Sequence, residues 1–174
     1  MNIAVISYSY TGNNEVLANN VAKQLSAEHI LLSESKPRTI GSIALDMFFK
    51  SRIPQVKPAP DRMKKYDLIL FIGPVWMGQV AAPFRTYLKE LVVHPKRYGF
   101  ISLSGGADST NPKLAGELKK RTGANPAVLI DLHIADLLPT APKPTRKDTS
   151  AYRLNEGEAI KLTSAIMKEL GKIV

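Results

Sequence analysis

The chain contains no cysteine. Disulfides, thiolate nucleophiles and thiolate metal sites are all excluded by that single absence. Long apolar runs are missing too, since nothing approaches the roughly 18 consecutive residues a membrane span needs. The opening run Asn2-Ile3-Ala4-Val5-Ile6-Ser7 lacks a basic n-region and is too short for a signal h-region. A cytoplasmic location with no membrane partner is therefore expected. The three histidines, His29, His94 and His133, have no metal-ligand spacing with one another or with carboxylates, so no metal is expected. Ser9 and Ser104 have no sequence-level base partner, and no catalytic side chain is nominated. Acidic charge is scarce: 15 Asp and Glu stand against 24 Lys and Arg, a net charge of +9.

The basic excess gathers at Lys36, Arg38, Lys50, Arg52, Lys57, Arg62, Lys64 and Lys65, then at Lys96-Arg97, Lys119-Lys120-Arg121 and Arg146-Lys147. Such a field suits an anionic cofactor or an acidic protein partner, and a solvated lysine-rich surface is its simplest reading. The clusters carry no interleaved aromatic platform and no helix-turn-helix or zinc-finger spacing, so no nucleic-acid partner is expected.

What is present suits one domain spanning residues 1–174, which at this size buries about 70% of its unfolded surface. Asn2–Ser7 is a β-branched strand that breaks at Tyr8-Ser9-Tyr10-Thr11-Gly12. Val16, Leu17, Val21 and Leu25 then recur at helical spacing. Ile30-Leu31-Leu32 reads as a second strand. A helix from Pro37 onward carries Ile40, Ile43, Ala44, Met47 and Phe48 on one side. Those residues, with Phe49, either pack into the core or face a dimer partner or roof the active site, and core packing is the simpler choice. Pro54, Pro58 and Pro60 enforce a non-helical connection.

Tyr66–Ile72 is the clearest buried strand, and Gly99–Ser104 and Ala127–Leu132 are two more. Helices are predicted over Pro83–Leu91, over Asn111–Thr122 with Gly123 as an αL cap, and over Glu156–Leu170 with Ile160, Thr163, Ile166, Met167 and Leu170 inward. Pro139–Lys147 reads as a surface loop. Five strands alternating with helices imply right-handed crossovers and a parallel sheet, with ligands outside the carboxyl ends of the strands.

Three strand ends carry turns that suit a ligand. Ser9-Tyr10-Thr11-Gly12-Asn13-Asn14 combines hydroxyl donors, a glycine and the unsatisfied N–H groups of a helix start. It has no Lys, so it is not the Gly-Lys-Ser/Thr loop of triphosphatases, nor is it a three-glycine dinucleotide turn. A single phosphomonoester held by neutral donors fits it. Gly73-Pro74-Val75-Trp76-Met77-Gly78 places the chain's single Trp inside a Gly/Pro turn, where simple core filling is less common. Ser104-Gly105-Gly106-Ala107-Asp108 follows the fourth strand, and Asp108 reads as a ligand contact or, preferably, an N-cap.

The first turn resembles the phosphate loop of flavodoxins, Ser/Thr-x-Thr-Gly-Asn-Thr, with Ser9, Thr11, Gly12 and Asn13 matching and Asn14 in place of the final Thr. An Asn there is expected to cap the helix and donate through its amide. The second resembles the flavodoxin Gly-x-Pro-x-Trp loop, and the third falls where flavodoxins contact the pyrimidine side of the ring. The resemblance covers most of the chain. It implies a flavodoxin-like three-layer α/β sandwich, a five-stranded parallel sheet of order 2-1-3-4-5 with helices on both faces. It also implies flavin mononucleotide (FMN) as cofactor. Ser9, Tyr10, Thr11, Gly12, Asn13 and Asn14 would hold the phosphate. Trp76 would stack on the ring, framed by Pro74, Val75, Met77 and Gly78. Ser104, Gly105, Gly106, Ala107 and Asp108 would meet its pyrimidine edge.

Two departures shape the functional expectation. Electron-shuttle flavodoxins carry a second aromatic in the third loop, and Gly105–Asn111 contains none. They are also typically acidic, whereas this chain is basic. Both features resemble the FMN-dependent NAD(P)H oxidoreductases, in which a nicotinamide or quinone must reach an open flavin face. The leading expectation is an oxidoreductase with NAD(P)H as co-substrate and a quinone-like or flavin acceptor, possible as a homodimer. The alternatives are a one-electron carrier for an acidic redox partner and a flavin-free binding or regulatory module.

Overall fold

A computed structural model describes the whole chain except residues 37, 50, 51, 109 and 174. The expected helix start at Pro37, the basic Lys50 and Ser109 of the third loop thus fall outside the described residues. Strands β1 (Ile3–Ser7), β2 (Glu28–Leu31), β3 (Leu68–Ile72), β4 (Arg97–Ser104) and β5 (Val128–His133) form one sheet in the order β2-β1-β3-β4-β5. Every pairing is parallel, with Ile6 opposite Phe71, Phe71 opposite Phe100 and Phe100 opposite Leu129. This is the flavodoxin-like order expected from the sequence.

Parallel strands covered on both faces have no side left for polar residues, which is why β3 is a run of five buried apolar residues. The period-2 alternation then divides that run. Leu68, Leu70 and Ile72 face helices α1 (Asn13–Gln24) and α6 (Glu156–Leu170), together with Val5, Leu17, Val21, Ile166 and Leu170. Ile69 and Phe71 point the other way, to Phe84, Tyr87, Leu88, Leu114 and Leu118 of the α3 (Arg85–Val93) and α4 (Leu114–Thr122) side. Gly123 caps α4 at φ 79°, as expected.

The helix after β2 departs from expectation. Helix α2 (Ile40–Phe48) buries only Asp46, while Ile40 and Phe48 are 79% and 84% exposed. The core beside β2 is filled instead by a six-residue 3-10 segment, Pro60–Lys65, whose Met63 packs with Tyr66, Ile30 and Leu32. Polar anchors hold α2 in its place. Asp46 pairs with Arg38 and Arg52, and the buried Arg85 guanidinium donates to the carbonyls of Asp46, Phe49 and Arg52 at 2.7, 3.2 and 2.9 Å.

Two smaller corrections concern the C-terminal third. Arg146 and Lys147 belong to a short helix α5 (Arg146–Ala151), opened by a capping box between Thr145 and Asp148. In α6, Ile160 is exposed and Ala159 takes the inward place, with Thr163, Ile166 and Leu170 buried and Met167 half-buried. Among the described residues no helix is long and apolar enough to cross a membrane.

Candidate functional site

The sheet order makes β1, β3 and β4 neighbours, so the three turns emerge side by side at one end. The connections from β1 and β3 leave in opposite directions there, which opens the crevice that such sheets use for ligands.

In the first turn Gly12 sits at φ 90°, a conformation that favours glycine, and directly precedes α1 without a side-chain cap. The N–H groups of Ser9, Tyr10, Thr11 and Gly12 have no acceptor among the described residues. The hydroxyl oxygen of Ser9 accepts from the Asn14 N–H at 3.1 Å, which leaves its own proton free to donate.

The asparagines differ from expectation. Asn14 is buried, its Nδ2 donates to the Leu103 carbonyl at 2.9 Å and its Oδ1 accepts the Leu103 N–H at 3.2 Å. Its amide therefore extends the ladder of β4 beyond the end of β3, and it neither caps α1 nor reaches toward a ligand. Asn13 is buried as well. Its Oδ1 accepts the Leu154 N–H at 2.9 Å and its Nδ2 donates to the Tyr152 carbonyl at 3.1 Å. Neither carboxamide is free for a phosphate, so the donors that remain are backbone N–H groups and hydroxyls.

The second turn is a hairpin in which Val75 and Trp76 pair with Val80 and Gln79. Met77 and Gly78 form its two-residue loop at φ 50° and 74°, the signature of a type I′ turn. Gly73 enters it with no room for a side chain, because a Cβ there would lie 2.3 Å from the Phe84 ring. Trp76 is half-buried and meets the edges of Tyr8 and Tyr10 at ring distances of 6.1 and 6.3 Å. The Tyr8 hydroxyl is pushed up to about 12, chiefly by burial, and stays protonated.

The third turn is joined to the second by the Ser104 hydroxyl, which accepts the Val75 N–H at 3.0 Å. Ser104 is thus a structural tie between loops. Gly106, at φ 73°, packs against His133 so closely that a Cβ would come within 2.4 Å. Asp108 does not cap the next helix, whose N-cap position is Lys113. It is exposed and paired with Arg146 at 2.7 Å. His133 is buried beside Asp131 at 3.2 Å, His94 pairs with Glu90 at 2.8 Å, and His29 contacts the Ser7 hydroxyl at 2.7 Å.

Lys36 and Arg38 lie at the same site, unforeseen from the pattern of the first turn. With Tyr8, Ser9, Tyr10 and Glu34 they line a cavity of about 290 Å³. The Leu32 N–H bonds the Ser7 carbonyl at 2.7 Å and so brings the chain after β2 alongside the turn. Arg38 is held by Asp46 and by a two-pronged contact to Glu34 at 2.5 and 2.9 Å, and its guanidinium lies 5.9 Å from the Trp76 ring centre. The basic cluster at residues 36–38 was the only sequence signal for this.

Solved structures match over nearly the full architecture. A protein from Bacteroides eggerthii assigned as a flavoprotein superposes with a TM-score of 0.66 at 16% identity, covering 95% of this chain and 98% of its own. The chain has the flavodoxin-like fold. A flavoprotein from Lactobacillus acidophilus, solved in complex with FMN, matches this flavodoxin-like chain with a TM-score of 0.60 at 22% identity over 74% of this chain and 91% of its own. No protein-family model and no curated protein sequence matches.

Proposed function

We propose that the chain binds FMN across these three turns and works as a redox protein. The observation that carries this is the first turn. Four consecutive residues there, Ser9 to Gly12, present N–H groups without acceptors at a helix start, beside Lys36 and a cavity, with an aromatic ring one turn away. The L. acidophilus flavoprotein, of the same fold, binds FMN.

The backbone N–H groups and the Ser9 and Thr11 hydroxyls would take the phosphate, with Lys36 adding charge. Trp76, braced edge-on by two tyrosines, would offer a flat platform, and the backbone of Gly105, Gly106 and Ala107 would meet the polar edge of the ring. FMN would supply the hydride and electron chemistry; the protein would position it. No aromatic residue lies among the described residues of Gly105–Asn111, which leaves that side open to a substrate. This favours an NAD(P)H oxidoreductase: NAD(P)H gives up a hydride, and a quinone-like or flavin acceptor takes two electrons with protons from solvent. A one-electron carrier docking an acidic protein is the second reading, favoured by the net charge of +9.

The test is a visible spectrum of protein mixed with FMN and dialysed, followed by anaerobic NADH or NADPH. A retained yellow colour that bleaches supports the oxidoreductase. A retained colour that does not bleach supports the carrier. A colourless protein overturns both. Trp76→Ala is expected to weaken FMN binding, and unchanged affinity would remove the indole from the site.

A further inference from the structure

Helix α2 is built inside out. Its inward side carries Ser42, which closes the capping box with Thr39, and Asp46, which pairs with Arg38 and Arg52. Its outward side carries Ile40, Gly41, Ala44, Leu45 and Phe48, with Phe49 just beyond its end, and no charge. Ile40, Leu45, Phe48 and Phe49 are all exposed, Phe48 by 84% and Phe49 by 58%. At about 200 Å² for each ring, those two alone leave about 280 Å² in water. Ile40 and Leu45 extend the patch to roughly 500 Å², toward the upper end of what a monomer leaves uncovered.

Two observations point to what covers it. The first is charge. The chain carries +9, so most of its surface would repel a second copy. The outward face of α2 is neutral, and the cations that anchor the helix, Arg38 and Arg52, are paired with Asp46. An acidic partner would find nothing on this face to pair with, whereas a second copy would meet no like charge there.

The second is shape. Gly41 is not required by its own chain, since a Cβ there would meet only the Thr39 hydroxyl oxygen at 3.8 Å, an ordinary contact. A glycine also weakens the helix that holds it. An antiparallel crossing of two α2 helices, centred between Ala44 and Leu45, gives this glycine a purpose. Phe48 then lies over the partner's Gly41, and Leu45 over the partner's Ala44. Large side chains face small ones, the self-complementarity that a two-fold contact demands.

We propose that α2 pairs with α2 of a second copy, antiparallel about a two-fold axis. The pair buries about 1,000 Å² in all, the low end for a specific interface, and so dissociates at about 10–100 µM. It uses no residue of the three turns and does not depend on FMN being bound.

The experiment is sedimentation equilibrium of the full chain over about 1–300 µM, where mass action should carry it from one chain mass toward two. Unfolding measured at about 1 µM, below that range, reads the single copy. Gly41→Leu fills the notch with a better helix former. It is expected to keep the circular dichroism spectrum and the melting temperature of the single copy while weakening the pair at least tenfold. Because the chain lacks cysteine, single replacements report contact directly. Leu45→Cys, beside the axis, is expected to give a disulfide-linked dimer under mild oxidation. Ile40→Cys is not, because an antiparallel pair holds the two copies of residue 40 about 13 Å apart along the helices. A chain that stays monomeric throughout, undiminished pairing in Gly41→Leu, or cross-linking at residue 40 in place of 45 would overturn the proposal. So would a monomer that binds phosphatidylglycerol vesicles through Phe48, which would give the face to lipid.

Discussion

Replacing Asn14 with alanine separates a structural tie from a cofactor contact. Its carboxamide makes two buried hydrogen bonds to the backbone of Leu103, at 2.9 and 3.2 Å. Alanine would orphan both the Leu103 N–H and its carbonyl at the edge of β4, where β3 has already ended. Each buried orphan costs about 1–3 kcal/mol, with the lower figure where water can enter. The two together come to about 3 kcal/mol. For a chain of this length about 2–4 °C of melting temperature is lost per kcal/mol, so Asn14→Ala should melt about 6–12 °C lower. Urea unfolding followed by circular dichroism gives the free energy directly, and an unchanged m-value would show that only stability moved. A loss below about 0.5 kcal/mol would refute the reasoning. Weakened FMN binding with unaltered stability would restore the phosphate-ligand reading of this residue.

Other substitutions test other parts of the account. Gly73→Ala places a Cβ 2.3 Å from the Phe84 ring, and overpacking of about 1–3 kcal/mol is expected in the same unfolding assay. Phe48→Ser, at a side chain 84% exposed, should change stability by less than about 0.5 kcal/mol; a larger loss would return α2 to the core. Burial depresses the His29 pKa below its ordinary 6.5. The unfolded chain therefore binds the proton more readily, so the contribution of His29 is intact above pH 6.5 and is lost as the pH falls below it. His29→Gln should flatten the stability profile between about pH 7 and 5, and an unchanged slope would remove His29 as its source.

The fold was readable because a parallel sheet buried on both faces writes each strand as an apolar run, and β3 is the plainest case. Helix α2 misled for a definite reason. Its apolar residues fall at helical spacing, but what fixes it is the Asp46–Arg38 ion pair and the Arg85 bonds to backbone carbonyls, and neither leaves a periodic mark. Helix α5 left a signal, the Thr145–Asp148 capping box, hidden among prolines and lysines. At the site, the turns themselves were legible as Gly-rich breaks after strands. The duties of Asn13 and Asn14 were not, because their partners lie 141 and 89 residues away. Lys36 and Arg38 join the first turn only through the β1–β2 register.

The Asn13 amide has a consequence for the order of assembly. It grips the backbone at Tyr152 and Leu154, so the turn near the start of the chain takes its final shape only when those residues have arrived. During synthesis, strands β1 to β3 can emerge and pair early, since chains begin to fold from the N-terminal side as they are made. Any pocket at Ser9–Gly12 would nevertheless stay incomplete until residue 154 had left the ribosome. A nascent chain stalled before that point would be expected to hold its sheet but not its ligand.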